Sequence, residues 1–176
     1  MRLFISVQLN NELKNAVISA QNTLRQNKVS GHYTDFQKLH LTLAFIGEYG
    51  NAEHVLEAME QVHFESFQLK FDGHIGSFGN LLWAGLEQSD DLEKLARQLR
   101  HFLAEYHIPF DKKKFSPHIT MLRNAVIPPY TDIFPININK VSMKVSEVSL
   151  MRSEHGKHGM IYTEIGSIVS DKGEIV

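Results

Sequence analysis

His40 and Thr42 stand two residues apart in "KLHLTLAFIG" (38–47), and His118 and Thr120 repeat the spacing in "FSPHITMLR" (115–123). Side chains along a strand alternate between its two faces, so residues at i and i+2 point the same way. Each histidine therefore shares a face with its threonine. Leu41 and Leu43, or Ile119 and Met121, fall on the opposite, buried face, and strict alternation separates Phe45 from His40 and Thr42 as well. Ten histidines and six threonines in 176 residues give about 0.06 chance occurrences of a His-x-Thr triplet with apolar residues at both alternating positions. Two are present.

Imidazole is the side chain whose unperturbed pKa lies closest to neutrality, so two of them on a common cleft form an acid and a base. Threonine hydroxyls donate hydrogen bonds without carrying charge. Together with Arg123 they make a cradle for an oxyanion, most naturally the non-bridging oxygens of a phosphate. A phosphodiester needs these parts: a base that activates a nucleophile, an acid across the phosphorus that protonates the leaving oxygen, and donors for the equatorial charge. Each positioned proton transfer contributes about 10²- to 10⁴-fold in rate. The motifs are nearly symmetric, so their spacing leaves open which histidine gives the proton and which takes it.

The elements that position these residues are legible in part. "RLFISVQL" reads as a strand, and Asn10 or Asn11 caps a helix with Leu13, Ala16, Val17, Ala20 and Leu24 on one face. A polar loop is expected over Ser30 to Gln37, followed by the His40 strand up to Gly47 and a helix capped by Asn51. "FESFQLKFDGHIGSF" reads as one or two strands, "LLWAGLE" as another, and "SDDLEKLARQLRHFLAEY" as a helix behind Ser89 or Asp90. After the His118 strand come two β-rich stretches, Val141–Met151 and Met160–Ile168, joined by a hairpin loop in "RSEHGKHG". His40 to His118 is an offset of 78 residues, and so is Leu3 to Leu81. Strand, helix, loop and histidine strand thus recur in one order, the trace of a duplicated unit with a pseudo-twofold axis. The expectation is one body over 1–176 with approximate repeat units 1–78 and 79–176.

Composition narrows the function. With 18 basic and 20 acidic residues the net charge is −2, so any contact with nucleic acid is local rather than driven by a protein-wide field. The chain has no cysteine, which excludes a thiol nucleophile or a thiolate zinc site and is compatible with a reducing compartment. No segment has membrane-spanning length and the N-terminal apolar run is too short for a signal peptide, which leads to the expectation of a cytoplasmic protein without a membrane partner.

These residues resemble the two-histidine (2H) phosphoesterases, which carry paired HxTx motifs, and within them the bacterial RNA 2′,3′-cyclic phosphodiesterases once described as 2′-5′ RNA ligases. "RLFISVQL", "LHLTLAFIGE", "LLWAGLE", "FSPHITMLR" and "VSEVSLMRSEHGKHGMIYTEI" follow the family's blocks in order. The resemblance implies an α+β fold of duplicated β-α-β units, two lobes around a central cleft, with a middle segment forming one lobe and the termini pairing in the other. It implies a hydrolase acting on RNA or oligonucleotide ends that carry a 2′,3′-cyclic phosphate, with His40 as proton donor and His118 as proton acceptor. Thr42, Thr120 and Arg123 are then the phosphate-binding residues, and no metal, cofactor or protein partner is called for. Met121 stands where the family usually has Leu or another aliphatic residue, a volume-conserving change.

Two other outcomes remain open at this point: the same site joining a cyclic end to a 5′-hydroxyl or accepting another cyclic nucleotide, and a binding module without catalysis. "DKKKF" (111–115) reads as a solvated loop, with steering of an RNA backbone by Lys112, Lys113 and Lys114 as the alternative. Tyr33 and Phe45 read as packing rather than base stacking, and "HGKH" (155–158) as loop rather than metal site, because no third ligand lies at suitable spacing.

Overall fold

In a computed structural model that describes residues 1–171, β1 (Arg2–Gln8) leads into α1 (Asn11–Gln26). Asn10 caps that helix by accepting the Leu13 N–H at 3.0 Å, and Leu13, Ala16, Val17, Ala20 and Leu24 form its buried stripe. There follow β2 (Ser30–Tyr33), a 3₁₀ turn at Phe36–Lys38, β3 (His40–Glu48) and α2 (Ala52–Met59). Strands β4 (Phe67–Phe78) and β5 (Leu81–Leu86) form a hairpin before α3 (Asp90–Glu105), which Ser89 caps through Leu92 N–H. The chain closes with β6 (Ile119–Val126), β7 (Ser142–Val145), β8 (Glu147–Gly156) and β9 (Gly159–Val169).

The strands form two antiparallel sheets, a four-stranded one in the order β3-β1-β8-β9 and a five-stranded one in the order β2-β6-β5-β4-β7. This is the α+β fold expected above. Strand β3, which begins at His40, and β6, which begins one residue after His118, lie in different sheets and pair with β1 and β5 respectively. The helices cross over. Helix α1 leaves β1 but packs on β6 and β7, whereas α3 leaves β5 and packs on β3 and on α2. Helix α1 thus helps close the core of the sheet that β1 does not join, while α3 also touches β4 and α2 packs on β9 of the sheet that holds its own preceding strand β3.

One local reading needs correction and two are refined. Ser30–Tyr33, expected in a loop, is β2, an edge strand on β6; its short, polar, Gly-containing sequence carries no alternation that would reveal it. The β-rich stretch Val141–Met151 holds two strands. It breaks at Ser146, so that β7 pairs with β4 in one sheet and β8 with β1 in the other. The hairpin loop is also shorter than "RSEHGKHG": pairing continues to Gly156↔Gly159, leaving Lys157 and His158 as the turn.

Both motif strands carry a one-residue register shift at equivalent places. Thr42 and Ala44 oppose consecutive residues of β1, leaving Leu43 as the extra residue, and Thr120 and Leu122 oppose consecutive residues of β5, leaving Met121. Such a bulge inverts the alternation beyond it. Phe45 and Arg123, three positions past their threonines, therefore return to the side occupied by the His-Thr pair, and Phe45 departs from the face that strict alternation gave it. Leu43 and Met121 stay fully buried and anchor the bulges.

Candidate active site

His40, Thr42, His118, Thr120 and Arg123 line one cavity of about 320 Å³ between the two sheets. The residues singled out from the sequence are brought together from two strands 78 residues apart.

The two imidazoles are held by the same device. The His40 Nδ1–H donates to the Lys38 carbonyl at 2.6 Å and the His118 Nδ1–H to the Ser116 carbonyl at 2.7 Å. A carbonyl only accepts, so the hydrogen resides on Nδ1 and Nε2 is left as the atom that exchanges a proton. In the neutral ring of His40, the Thr42 hydroxyl donates to Nε2 at 3.0 Å. Each ring also rests on two aromatic side chains from its own sheet. Phe4 and Tyr162 flank His40 at centroid distances of 4.9 and 5.6 Å, and Phe78 and Trp83 flank His118 at 5.1 and 6.3 Å. The indole of Trp83 lies over Gly76, where a Cβ would stand 2.1 Å from the ring, so this approach requires glycine.

Burial pushes the His40 pKa below the ordinary histidine value, and the nearby charges of Arg123 and His118 push the same way, against the opposing bond to the Lys38 carbonyl. Burial, with a smaller contribution from the Arg123 cation, thus favours the neutral form of His40. An anion placed beside the ring would offset that cation and favour the imidazolium.

Gln21 fastens the second motif from behind. Fully buried on α1, it donates from Nε2 to the carbonyls of Thr34 and Met121, both at 3.0 Å. It thereby ties the bulge after Thr120 to the end of β2.

Several residues of the cavity escaped the sequence reading. His32, Lys38 and His158 line it beside the five. His158 occupies the β8–β9 turn, so "HGKH" is loop as expected and also cleft wall. Phe4 and Tyr162 reach His40 through strand pairings that no local pattern announces, although "MIYTEI" does read as a strand. Tyr33 is occupied elsewhere: Arg25 covers its ring at 4.1 Å and its hydroxyl donates to the Val29 carbonyl at 2.7 Å. Among the described residues no three His, Asp or Glu side chains are grouped to hold a metal ion, and no helix is long and apolar enough to cross a membrane.

A family model described as the 2′-5′ RNA ligase superfamily matches residues 13–157. An RNA 2′,3′-cyclic phosphodiesterase of Thermotoga maritima is 28% identical over 172 residues, covering 92% of this chain and 91% of that one. One from Methanothermobacter thermautotrophicus is 29% identical over 182 residues, covering 94% and 96%. The crystal structure of E. coli LigT complexed with 3′-AMP superposes with a TM-score of 0.82 at 26% identity, over 97% of this chain and 98% of that one.

Proposed function

Because the chain belongs to the 2′-5′ RNA ligase superfamily, we propose that it hydrolyses the 2′,3′-cyclic phosphate at an RNA end to a 2′-phosphomonoester by two-histidine acid–base catalysis. The observation that carries this reading is the pair of imidazoles on one cavity, each with Nδ1 pinned to a main-chain carbonyl so that Nε2 is the working atom.

His118 takes a proton from water as its oxygen attacks phosphorus, and the bond from phosphorus to the 3′ oxygen breaks. His40 gives its Nε2 proton to that leaving oxygen. One proton enters the protein and one leaves, so the reaction balances on the two rings and draws on no metal or cofactor. The hydroxyls of Thr42 and Thr120 and the Arg123 guanidinium hold the non-bridging oxygens, where charge accumulates in the transition state. The depressed pKa of free His40 fits this order: the ring acquires its proton in company with the anionic substrate, at the moment when a donor is needed.

The test is turnover of a short oligoribonucleotide ending in a 2′,3′-cyclic phosphate, in EDTA, with products identified by phosphorus NMR. A 2′-phosphomonoester is the expected product. A 3′-phosphomonoester contradicts the leaving-group assignment, and no turnover refutes the reading.

A further inference from the structure

A second cavity, of about 410 Å³, adjoins the first and shares Thr42 and His118 with it. Its remaining wall combines the aromatic rings of Phe45, Phe78 and Phe115 with the cations Arg100, Lys113 and Lys114. Aromatic faces interleaved with cations are what a single-stranded nucleic acid needs, since every base offers a π face and every linkage a negative charge. Resting on the function proposed above, we propose that this cavity binds the nucleotide that precedes the reacting terminal one, so that the protein takes hold of single-stranded RNA as a chain and not only of its cyclic end.

The internal repeat gives the reason. Phe45 and Arg123 are separated by the same 78 residues as the two histidines, and each is returned to the cleft side by the bulge that follows its threonine. On β6 the position bears a guanidinium and faces the first cavity; on β3 it bears a phenyl ring that lines the second, with the Arg2 guanidinium over the ring at 5.1 Å from its centre. One backbone device, used twice, presents a charge to the phosphate on one side and a stacking surface on the other. Phe45 lies three residues beyond Thr42, about 10 Å along an extended strand, which leads away from the reacting phosphate.

The cations decide between an isolated nucleotide and a chain. A cyclic mononucleotide has one phosphate, and Thr42, Thr120 and Arg123 occupy it. Lys113 and Lys114, beyond Phe45, meet a phosphate only if the polymer continues past the terminal residue. Neither lysine forms a salt bridge among the described residues. The other two charges of this wall serve the loop itself. Arg100 donates to the Lys113 carbonyl at 2.6 Å with its guanidinium 5.7 Å from the Phe115 ring centre, and Asp111 accepts the Lys113 N–H at 2.9 Å. They fix the segment so that the two ammonium groups are free to meet a ligand.

The experiment compares the full chain with its Lys113→Ala/Lys114→Ala and Phe45→Leu variants on two substrates, 2′,3′-cyclic AMP and a four-residue oligoribonucleotide with a 2′,3′-cyclic end. The double variant is expected to lose about tenfold in kcat/KM on the oligonucleotide and to change less than about twofold on the mononucleotide. Its salt dependence on the oligonucleotide is expected to flatten by about 0.7 in the log–log slope per lysine. Phe45→Leu is expected to follow the same pattern without the change in salt slope. Equal losses on both substrates, or no loss on either, overturn the proposal. In parallel, fluorescence anisotropy of a labelled RNA tetramer with a 3′-phosphate reads binding without turnover. If the unaltered protein turns over neither substrate, the functional reading fails, while weaker tetramer binding by the variants still upholds the subsite and unchanged binding overturns it. An oligoglutamate of matching charge is expected to leave the RNA bound; displacement as effective as by unlabelled RNA overturns the assignment to nucleic acid.

Discussion

Replacing Arg123 by Gln separates the two roles that the site gives this cation. The guanidinium is one of the causes that hold the His40 pKa down, after burial. Removing it moves that pKa up, while burial and the bond to Lys38 stay in place. It also removes the charged donor proposed for the bound phosphate. Charge-assisted hydrogen bonds are worth about 1.5–3 kcal/mol, and Arg123 is solvent-exposed, so the lower end applies; at about 1.36 kcal/mol per factor of ten, kcat/KM falls roughly tenfold. The pKa is read from the His40 Cε1–H signal in an NMR titration of the free protein, and the rate from the pH profile of kcat/KM on a cyclic-phosphate oligonucleotide. If His40 is the donor, activity is lost as pH rises through its pKa, so the variant's alkaline limb shifts to higher pH although its maximum is lower. A His40 pKa that stays put or falls refutes the electrostatic account of the site. An alkaline limb that does not move, with the NMR pKa raised, refutes the assignment of that limb to His40.

Stability should carry the same signature. The folded pKa of His40 lies below its unfolded value, so the unfolded chain takes up the proton first; the contribution to stability is complete above about pH 6.5 and is lost as pH falls through the folded pKa. Urea midpoints at pH 7.5 and pH 5 should therefore differ less in His40→Gln than in the unaltered chain, and an equal difference contradicts the shift. Gly76→Val places a side chain where the Trp83 indole lies; overpacking of this kind costs about 1–3 kcal/mol and displaces a ring that supports His118. Because Trp83 is the single tryptophan, its fluorescence reports the displacement directly, and unchanged emission with unchanged kcat contradicts the support role.

The grouping of the candidate site residues was legible in the sequence because it resides in short motifs, where period-two alternation fixes which residues share a face. His40 with Thr42 and His118 with Thr120 needed nothing more, and the repeat announced that they belong together. The helix starts were equally local, since Asn10, Asn51 and Ser89 each accept the expected N–H of their own first turn. What depends on pairing between distant strands was not legible. Strand β2 is recognisable only through its partner β6, the division of 141–151 at Ser146 follows from two sheets competing for neighbouring residues, and Phe4 and Tyr162 meet His40 only once β1, β8 and β9 are aligned. The bulge at Leu43 is the most consequential omission, because it moves Phe45 to the side of His40 and Thr42; the adjoining apolar pairs Leu43–Ala44 and Met121–Leu122 are the only local mark of the two bulges.

The account stands on two imidazoles serving one phosphate in a single step, and a double-mutant cycle measures that directly. Single-turnover hydrolysis rates of His40→Ala, His118→Ala and the doubly substituted protein on a cyclic-phosphate oligonucleotide are predicted to show a loss of about 10²- to 10⁴-fold for each single change, with the double variant little worse than either, because each ring is useless without the other. Losses that multiply, or a single variant that retains near-normal turnover, contradict it.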